Sequence, residues 1–160
     1  MVLQVSPRPV SNHQRALCEL AYQLRDQLPP ELYPLAEVEV CIFAEFPVTV
    51  RVPDLIAVPT VATKANPVRY SADAVQLAVE IVSPGSVRTD KITKFAKITK
   101  FAEYADAGIE HYWIVDLDPP TSITVYRLID GDYETMAETA DTLVVGSPAP
   151  LRIDVTALTL

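Results

Sequence analysis

Glycine is scarce in this chain, with four in 160 residues. That shortage leaves no G-x-S-x-G nucleophile elbow and no glycine-rich loop to cradle a phosphate, which sets aside hydrolases and nucleotide enzymes built on those motifs. Cysteine is scarcer still: Cys18 and Cys41 are the two, they fall in different predicted elements, and their spacing suits no metal site. Buried free thiols are expected rather than a disulfide. The two histidines, His13 and His111, are separated by most of the chain. With no cysteine or second histidine beside either, no zinc site is expected; His13 reads as a cap or surface residue near a helix start, and His111 as structural. No apolar run approaches the roughly 20 residues of a membrane helix. The opening MVLQVSPRPV lacks the basic-then-apolar layout of a secretory signal, so a soluble cytoplasmic protein with no membrane partner is expected. Positive charge is short too: 13 Lys and Arg stand against 21 Asp and Glu, a net charge of −8. This excludes a general nucleic-acid coat protein. An enzyme with an acidic metal site remains open, provided that any contact with DNA is local.

What the chain does have is apolar content, 49% of its residues, and a length that suits one domain over residues 1–160. After the stiff SPRPV, Ser11 or Asn12 can cap a helix through HQRALCELAYQLRDQL, with Ala16, Leu17, Leu20, Ala21 and Leu24 as its apolar face. Pro29-Pro30 ends it. Residues 38–46 and 48–59 read as two strands, followed by a polar, proline-marked loop over roughly 60–73. VQLAVEIVS (75–83) reads as a strand covered on both faces. Thr89 or Asp90 caps a second helix that ends at Gly108. HYWIVD (111–116) is another buried-looking strand; SITVYRL and YETMAE form a hairpin around Gly131-Asp132; a short strand and a polar end close the chain. The order α, β, β, β, α, β, β, β predicts a mixed sheet flanked by helices, in the α/β or α+β class.

Two acidic residues interrupt these apolar strands: Asp54 in VRVPDLIAV and Glu80 in LAVEIVS. An unpaired carboxylate in such a place costs several kcal/mol. Two of them on neighbouring strands suggest one shared partner, most simply a divalent metal; the alternative is that each faces solvent at a strand end. Pro53 supports a special position for Asp54, because it removes a ladder donor. Phosphodiester hydrolysis asks for such a metal to activate water, plus a cation near the developing charge. Lys91, Lys94, Lys97 and Lys100 follow Glu80, with Arg88 beside them. At least two of the four lysines belong to a solvated helix face. Arg51, Lys64 and Arg69 can touch phosphates or form a solvated rim.

V-P-D (52–54), V-E-I-V-S-P (79–84), D-x-x-x-K, Y-A-D-A-G-I (104–109) and H-Y-W-I-V-D (111–116) together resemble the Uma-two family of restriction endonucleases, within the PD-(D/E)XK nuclease superfamily. The match runs from about Val5 to about Asp132. The resemblance implies a restriction-endonuclease-like core with a mixed central β-sheet and flanking helices. It implies Asp54 and Glu80 as catalytic metal ligands, the main-chain carbonyl of Ile81 as a further ligand, and Mg²⁺ or Mn²⁺ as the cofactor. In the usual motif a lysine stands two residues after the second acid; here that residue is Val82, so the lysine is expected on the following helix. Relatives carry an N-terminal hairpin with a glutamate near the site. This chain starts in what reads as the next strand, VLQVSP, and that glutamate is expected to be absent. DNA is the implied partner and a homodimer the implied assembly. The rival reading is a nuclease fold that does not cut and serves as a binding or self-associating module.

One departure from the family pattern is a repeat. KITKFA occurs twice in succession, at 91–96 and 97–102. The family pattern D-x-x-x-K-x-x-x-Y is thereby split between Asp90–Lys94 and Lys100–Tyr104, and deleting one copy restores it. This reads as an insertion by tandem duplication. Six extra helical residues displace the downstream part of the helix by about 9 Å and leave it rotated by about 240°, so both copies cannot fill one core slot. Tyr104, Ala105, Gly108 and the strand at 111–116 are expected to hold the downstream end in place, with the slack near 84–97. Lys100 is then the active-site lysine; Lys94 is the alternative.

Overall fold

The computed structural model describes residues 10–82 and 90–159, except for the side chains of 90–97. Helix α1 (Ser11–Gln27) opens it. Strands β1 (Leu32–Ala36), β2 (Glu39–Phe43), β3 (Thr49–Arg51) and β4 (Leu55–Pro59) come next. A short helix α2 (Thr60–Thr63) leads to β5 (Arg69–Ser71) and β6 (Leu77–Val82). Helix α3 (Asp90–Asp106) precedes β7 (His111–Asp116), the hairpin β8 (Ser122–Ile129) and β9 (Asp132–Thr139), and a last pair, β10 (Thr142–Val145) and β11 (Leu151–Asp154).

Six strands form the central sheet in the order β1-β4-β6-β7-β8-β9. Its β6–β7 pairing is parallel and its other pairings are antiparallel, so the sheet is mixed as expected. The parallel pair is the one joined through α3, because only a long crossover can return the chain to the same end of a sheet. Strand β6 is buried along nearly its whole length because both faces are covered. Leu77, Val79 and Ile81 pack with Ala16, Leu17, Leu20 and Leu24 of α1 and with Ile153 of β11. Ala78, one residue out of phase, packs on the other side with Ile56, Val58, Tyr104 and Tyr112. That period of two assigns every strand residue to a face. The tight β8–β9 turn uses Asp130 and Gly131, both at positive φ.

Several local expectations are corrected. Val10 takes the N-cap position of α1 and no side chain caps it, so Ser11 and Asn12 lie in the first turn instead. The expected two strands over 38–59 are three, because Pro47 and Pro53 break the run at sites where a ladder donor is missing. LYPLA, assigned to no element from the sequence, is the edge strand β1, where Pro34 is tolerated. The loop over 60–73 contains α2 and β5, and the last segment forms a two-stranded sheet. Both cysteines are free, but Cys18 is exposed and Cys41 only half-buried. Trp113 and Tyr112 are core residues, as read. Among the described residues no helix is long and apolar enough to cross a membrane. The expected first strand, VLQVSP, lies outside the described residues, as does segment 83–89.

Candidate active site

The β4–β6 register aligns Leu55 with Val79. One step further along the ladder sets Asp54 beside Glu80, and facing residues of an antiparallel pair share a side of the sheet. That side is the one covered by α3. Both carboxylates therefore belong to one face, not to opposite ones.

Asp54 closes the bend that Val52 and Pro53 make between β3 and β4. Its Oδ2 accepts a hydrogen bond from the main-chain N–H of Ile81 at 2.7 Å. Its Oδ1 lies 3.1 Å from Nε2 of His13, in the first turn of α1. Burial pushes the Asp54 carboxyl above its ordinary range; the Ile81 N–H, His13 and Lys100 pull it back, while Glu37 nearby adds to the rise. Glu80 is 7% exposed. Its Oε1 accepts from the Tyr104 hydroxyl at 2.7 Å, and its Oε2 lies 3.2 Å from Nζ of Lys100. Burial raises this carboxyl too, opposed chiefly by the Lys100 charge and then by the Tyr104 hydroxyl, with Asp54 reinforcing the rise. Two acids thus share a desolvated site with one ammonium group, which leaves a net negative charge when both are ionised.

Helix α3 delivers the donors. It is helical from Asp90 onward, which corrects the expectation of slack over 84–97 for its part from residue 90 on; both KITKFA copies are helical. The second copy meets the core. Phe101 packs edge-on against Tyr126 and Tyr133, each at 5.0 Å between centroids, and Tyr104 against Tyr112 at 5.2 Å. Ile98, one turn earlier, is exposed. Arg51 of β3 forks onto Glu103 with two 2.7 Å bonds and ties the helix to the strand that leads into Asp54. Burial, with Glu80 beside it, drives the Tyr104 hydroxyl far above its usual range, so it stays a proton donor. The Lys94 side chain lies outside the described residues.

His13 corrects the reading of that residue as a cap or surface group: its imidazole lies against Asp54, and its Nδ1 is buried without a partner. No local signal marks it. An i, i+3, i+4 pattern shows which face of α1 is apolar, not what its first turn meets. Of the residues read as phosphate contacts or rim, Arg51 is engaged with Glu103, while Arg69, exposed and paired with Glu39, and the exposed Lys64 are consistent with a solvated rim. Among the described residues no group of three His, Cys, Asp or Glu side chains is placed to hold a metal ion.

The family model for Uma2, described as "Putative restriction endonuclease", matches residues 2–158. A solved structure titled as that of a "putative nuclease belonging to DUF820" from Anabaena variabilis ATCC 29413 superposes with a TM-score of 0.68 at 21% identity, over 95% of this chain and 82% of that one. At that identity the likeness establishes the fold. No curated protein matches the chain.

Proposed function

The chain belongs to the Uma2 family of restriction endonucleases, and from that premise we propose that it is a metal-dependent endonuclease that hydrolyses DNA phosphodiester bonds. The observation that carries the proposal is the pair of carboxylates on one face, Glu80 buried and bonded to Lys100 and Tyr104 of the next helix, Asp54 half-buried and bonded to the Ile81 N–H. The donor chemistry supports Mg²⁺ or Mn²⁺: both side chains offer hard oxygens, and a site with few protein ligands suits an ion that keeps its waters. Asp54 and Glu80 would hold the ion. The Ile81 carbonyl would be a further ligand: a strand residue presents its N–H and C=O on the same edge, and the Ile81 N–H is already on Asp54.

When bound, the ion supplies a water of lowered pKa and neutralises phosphate charge. The chain's own residues do the rest. Ile81 N–H and His13 fix the two Asp54 oxygens. Tyr104 and Lys100 fix those of Glu80. The Lys100 ammonium, about one third exposed, can turn toward a phosphate oxygen on which charge builds in the transition state. DNA contact stays local, consistent with a chain of net charge −8. A homodimer suits cleavage of both strands; the outer edge of β11 is bonded by Gln23 and Gln27 of α1, which leaves the edge of β10, paired with no other strand than β11 among the described residues, for it.

The test is plasmid cleavage with Mg²⁺ or Mn²⁺ against an Asp54→Ala control. Wild-type cleavage that the variant loses supports the proposal; equal cleavage by both, or none by either, overturns it. The second reading, a nuclease fold that binds without cutting, is favoured by the small ligand set: two carboxylates, with His13 already engaged on Asp54, and no group of three such side chains that could hold an ion among the described residues. Calorimetric titration with Mn²⁺ separates the two, because the inert module shows no Asp54-dependent binding.

A further inference from the structure

On the sheet face opposite the two acids, the β10–β11 connection folds over the start of β7 and lines a half-open pocket of about 200 Å³. This exceeds the roughly 150 Å³ pocket that accommodates a benzene ring in another protein. Its floor is polar and buried. His111 is 4% exposed, and its Nε2 lies 3.1 Å from the Ser147 hydroxyl. Arg127, the cross-strand neighbour of His111, lines one side. The rest of the wall is apolar, with Val125 and Ala137 inside and the exposed Met136 and Val144 beside them.

The charge of this lining departs from that of the chain. Asp and Glu outnumber Lys and Arg by 21 to 13, yet no acidic residue lines the cavity and the one ionic side chain there is Arg127. Arg127 gives one N–H to Glu110 at 3.0 Å, and a guanidinium has five to give. Ser147 can donate its hydroxyl, and the His111 ring can donate from nitrogen. Donors thus gather at one end of an apolar space, and an acceptor-rich head on an apolar body complements them. A serine nucleophile is the weaker reading of the same trio. Glu110 stands 3.8 Å from the same imidazole nitrogen that meets Ser147, so it does not orient the ring from the far side.

We propose that this cavity is a binding site for a small organic monocarboxylate, its carboxylate on Arg127 and Ser147 and its ring or short alkyl chain against Val125, Ala137 and Met136. The site is separate from the two acids and does not depend on the nuclease reading. The test is calorimetric titration of the full chain with benzoate and hexanoate, beside benzyl alcohol and hexylamine, each to about 10 mM, a range that detects affinities down to the millimolar level. Both acids are expected to bind, at least tenfold more tightly than the alcohol or the amine. Arg127→Gln is expected to weaken benzoate at least tenfold, Ser147→Ala severalfold, and Val144→Trp to close the mouth. All three sites are at least partly exposed, and melting curves confirm that the variants fold. No heat from either acid, alcohol binding as tight as the acid, or benzoate binding unchanged in both Arg127→Gln and Ser147→Ala would overturn the assignment.

Discussion

The Tyr104 hydroxyl is the group whose removal tests the site most cleanly. Tyr104 is fully buried and gives its proton to Glu80 Oε1 at 2.7 Å. A hydrogen bond to a charged group contributes about 1.5–3 kcal/mol. Tyr104→Phe keeps the ring that packs on Tyr112, so no large cavity adds to the loss. The expected deficit near neutral pH is about 2 kcal/mol, or about 4–8 °C in Tm for a chain of this size. Its pH dependence comes from the Glu80 carboxyl, which burial raises above its ordinary value. The folded chain therefore holds that proton more tightly than the unfolded chain, and stability falls as pH climbs from the ordinary glutamate value through the folded one. Removing the hydroxyl raises the folded value further. The deficit should widen over that climb and narrow at lower pH, where the phenol meets a neutral carboxyl. Thermal and urea unfolding of both proteins across this range measure it. Equal stability at neutral pH, or a deficit that does not change with pH, would refute the claim that Tyr104 supports an ionised Glu80.

Lys100→Ala should lower metal-dependent cleavage by about 10²-fold or more, the scale for losing a group that stabilises developing charge, while Lys94→Ala stays within a few-fold; loss confined to the Lys94 variant would exchange their roles. His13→Ala should weaken Mn²⁺ binding by roughly 10–100-fold, as expected when the partner of a ligand is lost, and His13→Gln should recover part of it; calorimetry that finds no change places His13 outside the site. Asp54→Asn should be more stable than the wild type near neutral pH without metal, and the gain should fade toward acid pH. The Asp54 carboxyl is raised by burial, so its ionisation costs stability as pH climbs from the ordinary aspartate value through the folded one. For the same reason wild-type Mn²⁺ affinity should rise with pH across that window, with protons released on binding; a pH-independent affinity would contradict it.

Much of the site was readable because of where its acids stand in a period-two pattern. Glu80 inside LAVEIV and Asp54 after Pro53 are conspicuous in strands whose other members are apolar. The contact of Lys100 with Glu80 was also within reach: once one KITKFA copy is set aside, the spacing from lysine to Tyr104 is that of a single helical turn. Phe101, Tyr112, Tyr126 and Tyr133 then hold the second copy against the sheet. His13 was out of reach, since its partner lies far along the chain and the approach depends on how α1 crosses the end of β4. Strand β1 was missed because LYPLA carries a proline and no alternation.

By itself the sequence determined the mixed α/β character, the two displaced acids and the lysine-bearing helix that comes after them, because each is written in the spacing of neighbouring residues. Only the tertiary structure decided that both acids share a face, that His13 and Tyr104 hold them, and that Arg127 and Ser147 gather around His111 on the other side. Those contacts join residues far apart in the chain, and they depend on strand register and layer packing, which local periodicity does not encode.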